Sequence, residues 1–65
     1  MTLMIVDRYY DIEKFEDVSI VKKEIVGKVK YLHIFFKRDT ENYKKFNGSC
    51  NVQLLPSDRF TIMED

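Results

Sequence analysis

The amino-acid sequence predicts a small all-β domain of five or six short antiparallel strands, folded as a small barrel or a strongly bent sheet. Three observations carry this. Alanine, the best helix former, is absent from all 65 residues. Val, Ile, Thr, Tyr and Phe together supply 24 of them, and such side chains suit a pleated, half-buried surface. Turn-forming residues recur near positions 27, 39, 47 and 57, the spacing of a meander or barrel. Closing the sheet would also remove its exposed edges.

The elements follow in chain order. Residues 2–6 form a short apolar run, read as the first strand. Residues 7–17 mix Asp7, Asp11, Glu13, Glu16 and Asp17 with Tyr9, Tyr10, Ile12 and Phe15. Their period is unclear, and they read as an acidic, aromatic-bearing loop. Residues 18–26 are the second strand. Gly27 tolerates the positive φ of a tight turn, which places a hairpin at Val26-Gly27-Lys28. The third strand runs from residue 28 or 29 to 37. In it Leu32, Ile34 and Phe36 share one face, and Val29, Tyr31, His33 and Phe35 the other. Asn47-Gly48 between extended segments signals a second hairpin. The alternative is an α+β arrangement in which Thr40 caps one short helix near 40–46. Residues 51–55 are the next strand. Pro56-Ser57-Asp58 makes a turn, and residues 60–63 are the last strand. The expected core is Leu3, Ile5, Val18, Ile20, Ile25, Leu32, Ile34, Phe36, Val52, Leu54 and Ile62.

The length fits one small domain, residues 1–65. A chain of about 60 residues buries only about 60% of its unfolded surface, so stability is marginal. Cys50 is the only cysteine, which rules out an internal disulfide and suits a reducing, cytoplasmic setting. Lys+Arg and Asp+Glu are both 11. Zero net charge gives no global attraction to nucleic acid or to a membrane, and weak protection against self-association. No apolar run approaches the ~20 residues of a membrane helix. The apolar start of the chain lacks the basic leader of a secretory signal.

Catalytic constellations are sparse. His33 and Cys50 are the only His and Cys, and nothing in their spacing brings them together as a nucleophile and base. Structural zinc needs about four ligands, mostly Cys and His, so no metal or cofactor is expected. Two isolated glycines cannot form a phosphate cradle. The acidic residues between 7 and 17 read as a solvated loop. The chain is therefore expected not to be an enzyme.

Leu54-Leu55-Pro56-Ser57-Asp58-Arg59-Phe60 resembles the tail segment of SH3 domains, where a Pro-Ser turn and an aromatic precede the final strand. Residues 16–25 are similar to that family's acidic-to-strand passage, and Val6-Asp7-Arg8-Tyr9-Tyr10 stands in the place of its first aromatic strand. The resemblance implies an SH3-like barrel in which Tyr9, Tyr10, Pro56 and Phe60 line a groove for proline-rich peptides. The chain departs from the family in having no Trp, and in lacking the glycine before the tail segment.

Charge is distributed unevenly. Residues 1–21 carry two basic and five acidic groups, residues 22–45 eight and three, and residues 46–65 one and three. Two binding readings follow. The first is a non-enzymatic module contacting a protein partner through Tyr9, Tyr10, Phe15, Pro56 and Phe60. Compact domains of this kind are common among accessory proteins of phages and mobile elements. The second is nucleic-acid binding through a basic central hairpin: Lys22, Lys23, Lys28, Lys30, Lys37, Arg38, Lys44 and Lys45, interleaved with Tyr31, Phe35 and Tyr43. Basic grooves with aromatic platforms suit single strands, whereas lysines on a strand also discourage edge pairing. An acidic and a basic pole in one small chain also favour a homodimer.

Overall fold

The computed structural model describes residues 1–64 and holds six strands and one short helix. The strands are β1 (Thr2–Val6), β2 (Ile12–Phe15), β3 (Val18–Val26), β4 (Val29–Phe36), β5 (Ser49–Leu54) and β6 (Arg59–Met63), with α1 (Glu41–Lys45) between β4 and β5. They form two antiparallel three-stranded sheets, ordered β2-β1-β6 and β3-β4-β5. The fold is thus small and mostly β. The strands described do not close into the barrel that the turn spacing suggests. The chain passes from one sheet to the other twice, through residues 16–17 and 55–58.

One apolar cluster lies between the sheets. Leu3, Ile5 and Phe15 come from the first sheet, and Val18, Leu32, Ile34, Phe36 and Leu54 from the second. The alternation expected for β4 is present: Leu32, Ile34 and Phe36 are buried, and Tyr31, His33 and Phe35 are half-buried on the other face. The Gly27 hairpin is present too. Val26 pairs with Val29, and Gly27 adopts φ +62° in the two-residue turn between them.

Three expected core residues are exposed: Ile20, Ile25 and Ile62. Ile20 is turned outward by a bulge. Val18 pairs with Phe36 and Ile20 with Phe35, so Ser19 is an extra residue in the ladder. One inserted residue reverses the facing of everything beyond it. Val21, Lys23 and Ile25 therefore face inward, but Ile25 pairs with Lys30 at the far end of the hairpin and stays uncovered. Ile62 faces the core opposite Leu3 but lies on an edge strand. Val52 is half-buried beside Leu32.

The loop expected over residues 7–17 contains a strand. Leu3 pairs with Phe15 and Val6 with Ile12. Only Phe15 of β2 is buried, so the strand has almost no hydrophobic alternation to betray it. Phe15 is held by Phe36 and Phe46, at ring-centroid distances of 6.4 and 6.2 Å, and Phe36 stacks on Phe46 at 5.1 Å.

Asn47-Gly48 ends a helix and does not form the expected hairpin; the alternative α+β reading of residues 40–46 holds. The Thr40 hydroxyl accepts from the Tyr43 amide at 3.2 Å and donates to the Lys37 carbonyl at 2.7 Å. At the other end Asn47 and Gly48 take φ +52° and +98°, and the Gly48 amide donates to the Tyr43 carbonyl at 2.8 Å. A helix this short is not stable alone. Its anchors are Phe46 in the aromatic cluster and the Asn42 side-chain amide, which donates to the Glu16 carbonyl at 2.8 Å. Replacing Thr40 with Ala leaves the Tyr43 amide without this acceptor. The expected cost is about 1 kcal/mol, or a melting temperature about 4–8 °C lower for a domain of this size. A thermal melt followed by circular dichroism checks it, and Thr40→Ser should recover most of the loss.

Candidate functional site

The protein-contact candidates fall into three situations. Tyr9 and Tyr10 stand in the β1–β2 turn and are largely exposed, Tyr10 at 85%. The Asp7 carboxylate organises that turn, accepting from the Tyr9 and Asp11 amides at 2.8 and 3.0 Å, while the Tyr10 amide donates to the Asp7 carbonyl at 3.0 Å. Aspartate is suited to this because its short side chain can satisfy backbone amides a few residues on. Arg8 lies over the Tyr9 ring at 4.8 Å and donates to its hydroxyl at 2.7 Å. Phe15, by contrast, is core, so it offers no surface to a partner. Pro56 is exposed in the β5–β6 turn, where the Leu55 amide donates to the Asp58 carboxylate at 2.9 Å. Phe60 pairs with Ile5 and shares its core-facing side, with 37% of its surface open.

The β1–β2 and β5–β6 turns lie at the same end of the first sheet, because Val6 pairs with both Ile12 and Arg59. Between them and β5 is a hollow of about 280 Å³. Ile5, Ile12, Val52 and Leu55 contribute apolar surface to it, and Asp7, Asp11, Glu13 and Asp58 carboxylates. Ile12 and Leu55 are more than half exposed. Composition alone marked the tyrosines. Ile12 and Leu55 were missed because their exposure depends on where the two sheets end.

The basic candidates do not share one face. Lys22 pairs with His33 on the outer face of the second sheet, whereas Lys23 pairs with Leu32 and faces the other way. Lys30 lies on the Lys23 side, opposite Ile25 and Leu54. Lys28 is in the hairpin turn, Lys37 and Arg38 follow β4 at the opposite end, and Lys44 and Lys45 belong to the helix. A lysine-rich stretch of sequence is thus divided by the two-residue period of a strand. One part remains together: Tyr31, His33 and Phe35 follow one another along the outer face of β4. His33 lies on Phe35 at 4.3 Å, and the Lys22 ammonium is 5.5 Å from the Phe35 ring centroid.

His33 and Cys50 are on opposite faces of the second sheet, since His33 pairs with Asn51 and Cys50 with Ile34. They cannot act as a nucleophile and base. Burial, with a smaller contribution from the Glu13 carboxylate, pushes the Cys50 thiol above its ordinary range. The raised value has a definite sign. The folded state holds the thiol proton more tightly than the unfolded state, so this group supports folding below the unfolded thiol pKa, and the support is lost as pH rises through the folded value. Alkylation needs the thiolate. At pH 8 the native protein is therefore expected to react with iodoacetamide more slowly than the urea-unfolded chain, and equal rates would refute the shift.

Among the described residues no three His, Cys, Asp or Glu side chains gather closely enough to hold a metal ion. Among the described residues no helix is long and apolar enough to cross a membrane. No protein-family model matches this sequence, and comparison with curated proteins and with solved structures finds no similar chain.

Proposed function

We propose that this chain is a non-enzymatic binding module, and that it contacts a protein partner through the end of the molecule built from the β1–β2 and β5–β6 turns. The observation that carries this reading is the set of exposed side chains at that end: Tyr9 and Tyr10 in the β1–β2 turn, and Ile12 and Leu55 lining the acidic hollow. Large apolar side chains gathered on a small surface mark interaction sites more often than the same side chains scattered singly. Tyrosine is also enriched among residues that dominate interface energies. Tyr10 supports the reading in a second way. It adopts φ +64°, which costs a non-glycine residue about 1–2 kcal/mol, so local stability alone would favour glycine or asparagine there. Asp7, Asp11, Glu13 and Asp58 suit a partner segment carrying basic as well as apolar side chains. The proline-rich ligand implied by the SH3 resemblance is not part of this proposal, because Phe60 is opposite Ile5 on the core-facing side of the sheet and only 37% of its surface is open.

The test is affinity capture from the source cell, with the native chain and a Tyr9→Ala/Tyr10→Ala variant compared side by side. A protein retained by the native chain after nuclease treatment, and lost by the variant, supports the proposal. Equal retention by both moves the contact elsewhere.

A second reading rests on the outer face of β4. Tyr31, His33 and Phe35 with Lys22 form a stacking surface of the kind that binds single-stranded nucleic acid. Under that reading, material captured by the native chain disappears with nuclease. Affinity for a mixed-sequence oligonucleotide then falls steeply with salt, and it also falls in Phe35→Ala.

A further inference from the structure

The open edge of β3 has features that its own chain does not explain. At nine residues β3 is the longest strand, and it stands at the edge of its sheet. Past the bulge every residue except Val21 is exposed, including Ile20 at 49%, Ile25 at 58% and Val26 at 57%. A long edge with exposed apolar residues is a template for another strand. Which strand it suits can be read from residues 20–26, Ile-Val-Lys-Lys-Glu-Ile-Val. This segment is complementary to itself when reversed about Lys23.

We propose that the β3 edge pairs antiparallel with the β3 edge of a second copy of this chain, on a two-fold axis at Lys23, so that the two β3-β4-β5 sheets become one six-stranded sheet. In that register Ile20 lies opposite Val26 of the second copy, Val21 opposite Ile25, and Lys22 opposite Glu24. The symmetry repeats each pair. Directly opposite residues share a face, so the faces stay consistent. Ile25 meets Val21 on the side of the core. Ile20 meets Val26 on the outer side, where each Lys22–Glu24 pair also lies. The apolar positions left bare in one copy are covered by apolar positions of the other, and two opposite-charge pairs fix the register. An isologous interface of this kind needs no second surface. The Lys23 side chains meet at the axis, the one unfavourable pair; their long stems let the charged ends diverge into solvent. This interface uses the β3 edge, on the other side of the sheet from the β5 residues that line the hollow, and does not depend on the partner proposed there.

The experiment is sedimentation equilibrium on four samples: the native chain, Lys22→Glu, Glu24→Lys, and an equimolar mixture of the two variants. Both positions are exposed, so melting temperatures near native are expected for each variant and confirm folding. The native chain should be a dimer. Each single variant places like charges opposite one another twice, and its dimer should dissociate about tenfold or more readily. The mixture should restore the dimer as a heterodimer, because the carboxylates at positions 22 and 24 of one variant then face the ammonium groups at positions 24 and 22 of the other. No effect within a single chain can produce that recovery. A native chain that stays monomeric up to about 1 mM, variants that dimerise like the native chain, or a mixture that fails to recover would each overturn the proposal.

Discussion

Leu32→Ala is expected to leave the chain mostly unfolded at 25 °C. Leu32 sits on the central strand of the second sheet, pairs with Lys23 on one side and Val52 on the other, and is fully buried. Removing its isobutyl group forfeits the transfer free energy of the lost atoms and opens a cavity, together about 2–5 kcal/mol for a buried leucine. A single core of this size rarely supplies more than about 3–5 kcal/mol in total. Cys50 offers no disulfide to make up the difference. Urea titration followed by circular dichroism checks this. The variant should show little or no native baseline, whereas Leu32→Met, which conserves volume, should keep a cooperative transition. A full native baseline with a nearly unchanged midpoint would mean that Leu32 is not the centre of the core.

Phe15→Ala is expected to be as damaging, for a reason that separates folding from binding. Phe15 is the only buried residue of β2 and packs against both Phe36 and Phe46. Its loss should cost about 3–5 kcal/mol and loosen three things together: β2, the helix held by Phe46, and the passage between the sheets at residues 16–17. Tyr9→Ala and Tyr10→Ala should change stability by no more than about 0.5 kcal/mol, as exposed positions do. Three aromatic residues within seven positions of sequence thus divide cleanly. One is a core anchor, and two remain available to a partner. Denaturant midpoints of the three single variants check this. A Tyr10 variant as unstable as the Phe15 variant would remove the motive for placing a binding surface at that turn.

The parts of the fold legible in the sequence are those where local chemistry and burial agree. Gly27 turns a hairpin because glycine takes a positive φ without cost. The faces of β4 are readable because its central position buries every second residue. Where burial is slight, the sequence is nearly silent: β2 has a single buried side chain, so its period cannot be seen. Asn47-Gly48 misleads because a positive φ at these residues serves a helix end as well as a hairpin turn, and the distinction lies with Thr40, Asn42 and Phe46. The Ser19 bulge leaves no mark on composition yet decides which way Ile20 points. For the candidate site, Tyr9 and Tyr10 could be picked out by residue type. Their grouping with Ile12 and Leu55 could not, because the two turns meet only through the pairing of β6 with β1. The basic stripe looked continuous because adjacent lysines in a sequence look alike, whichever face of the strand each one takes.

That same pairing has a consequence for the order in which the molecule assembles. β3, β4 and β5 follow one another along the chain and need only a two-residue turn and a connection of twelve residues. They can nucleate early, from contacts close in sequence. The first sheet brings Thr2 beside Met63, and closing so long a loop costs entropy before any contact repays it. β6 follows the other described strands in sequence, so β1 and β2 lack their third strand until it has been made. The docking of β6 is expected to be a late step of folding. Until it occurs, Leu3 and Ile5 lack one of the two strands that flank them, and the nascent chain is most exposed to association with its neighbours.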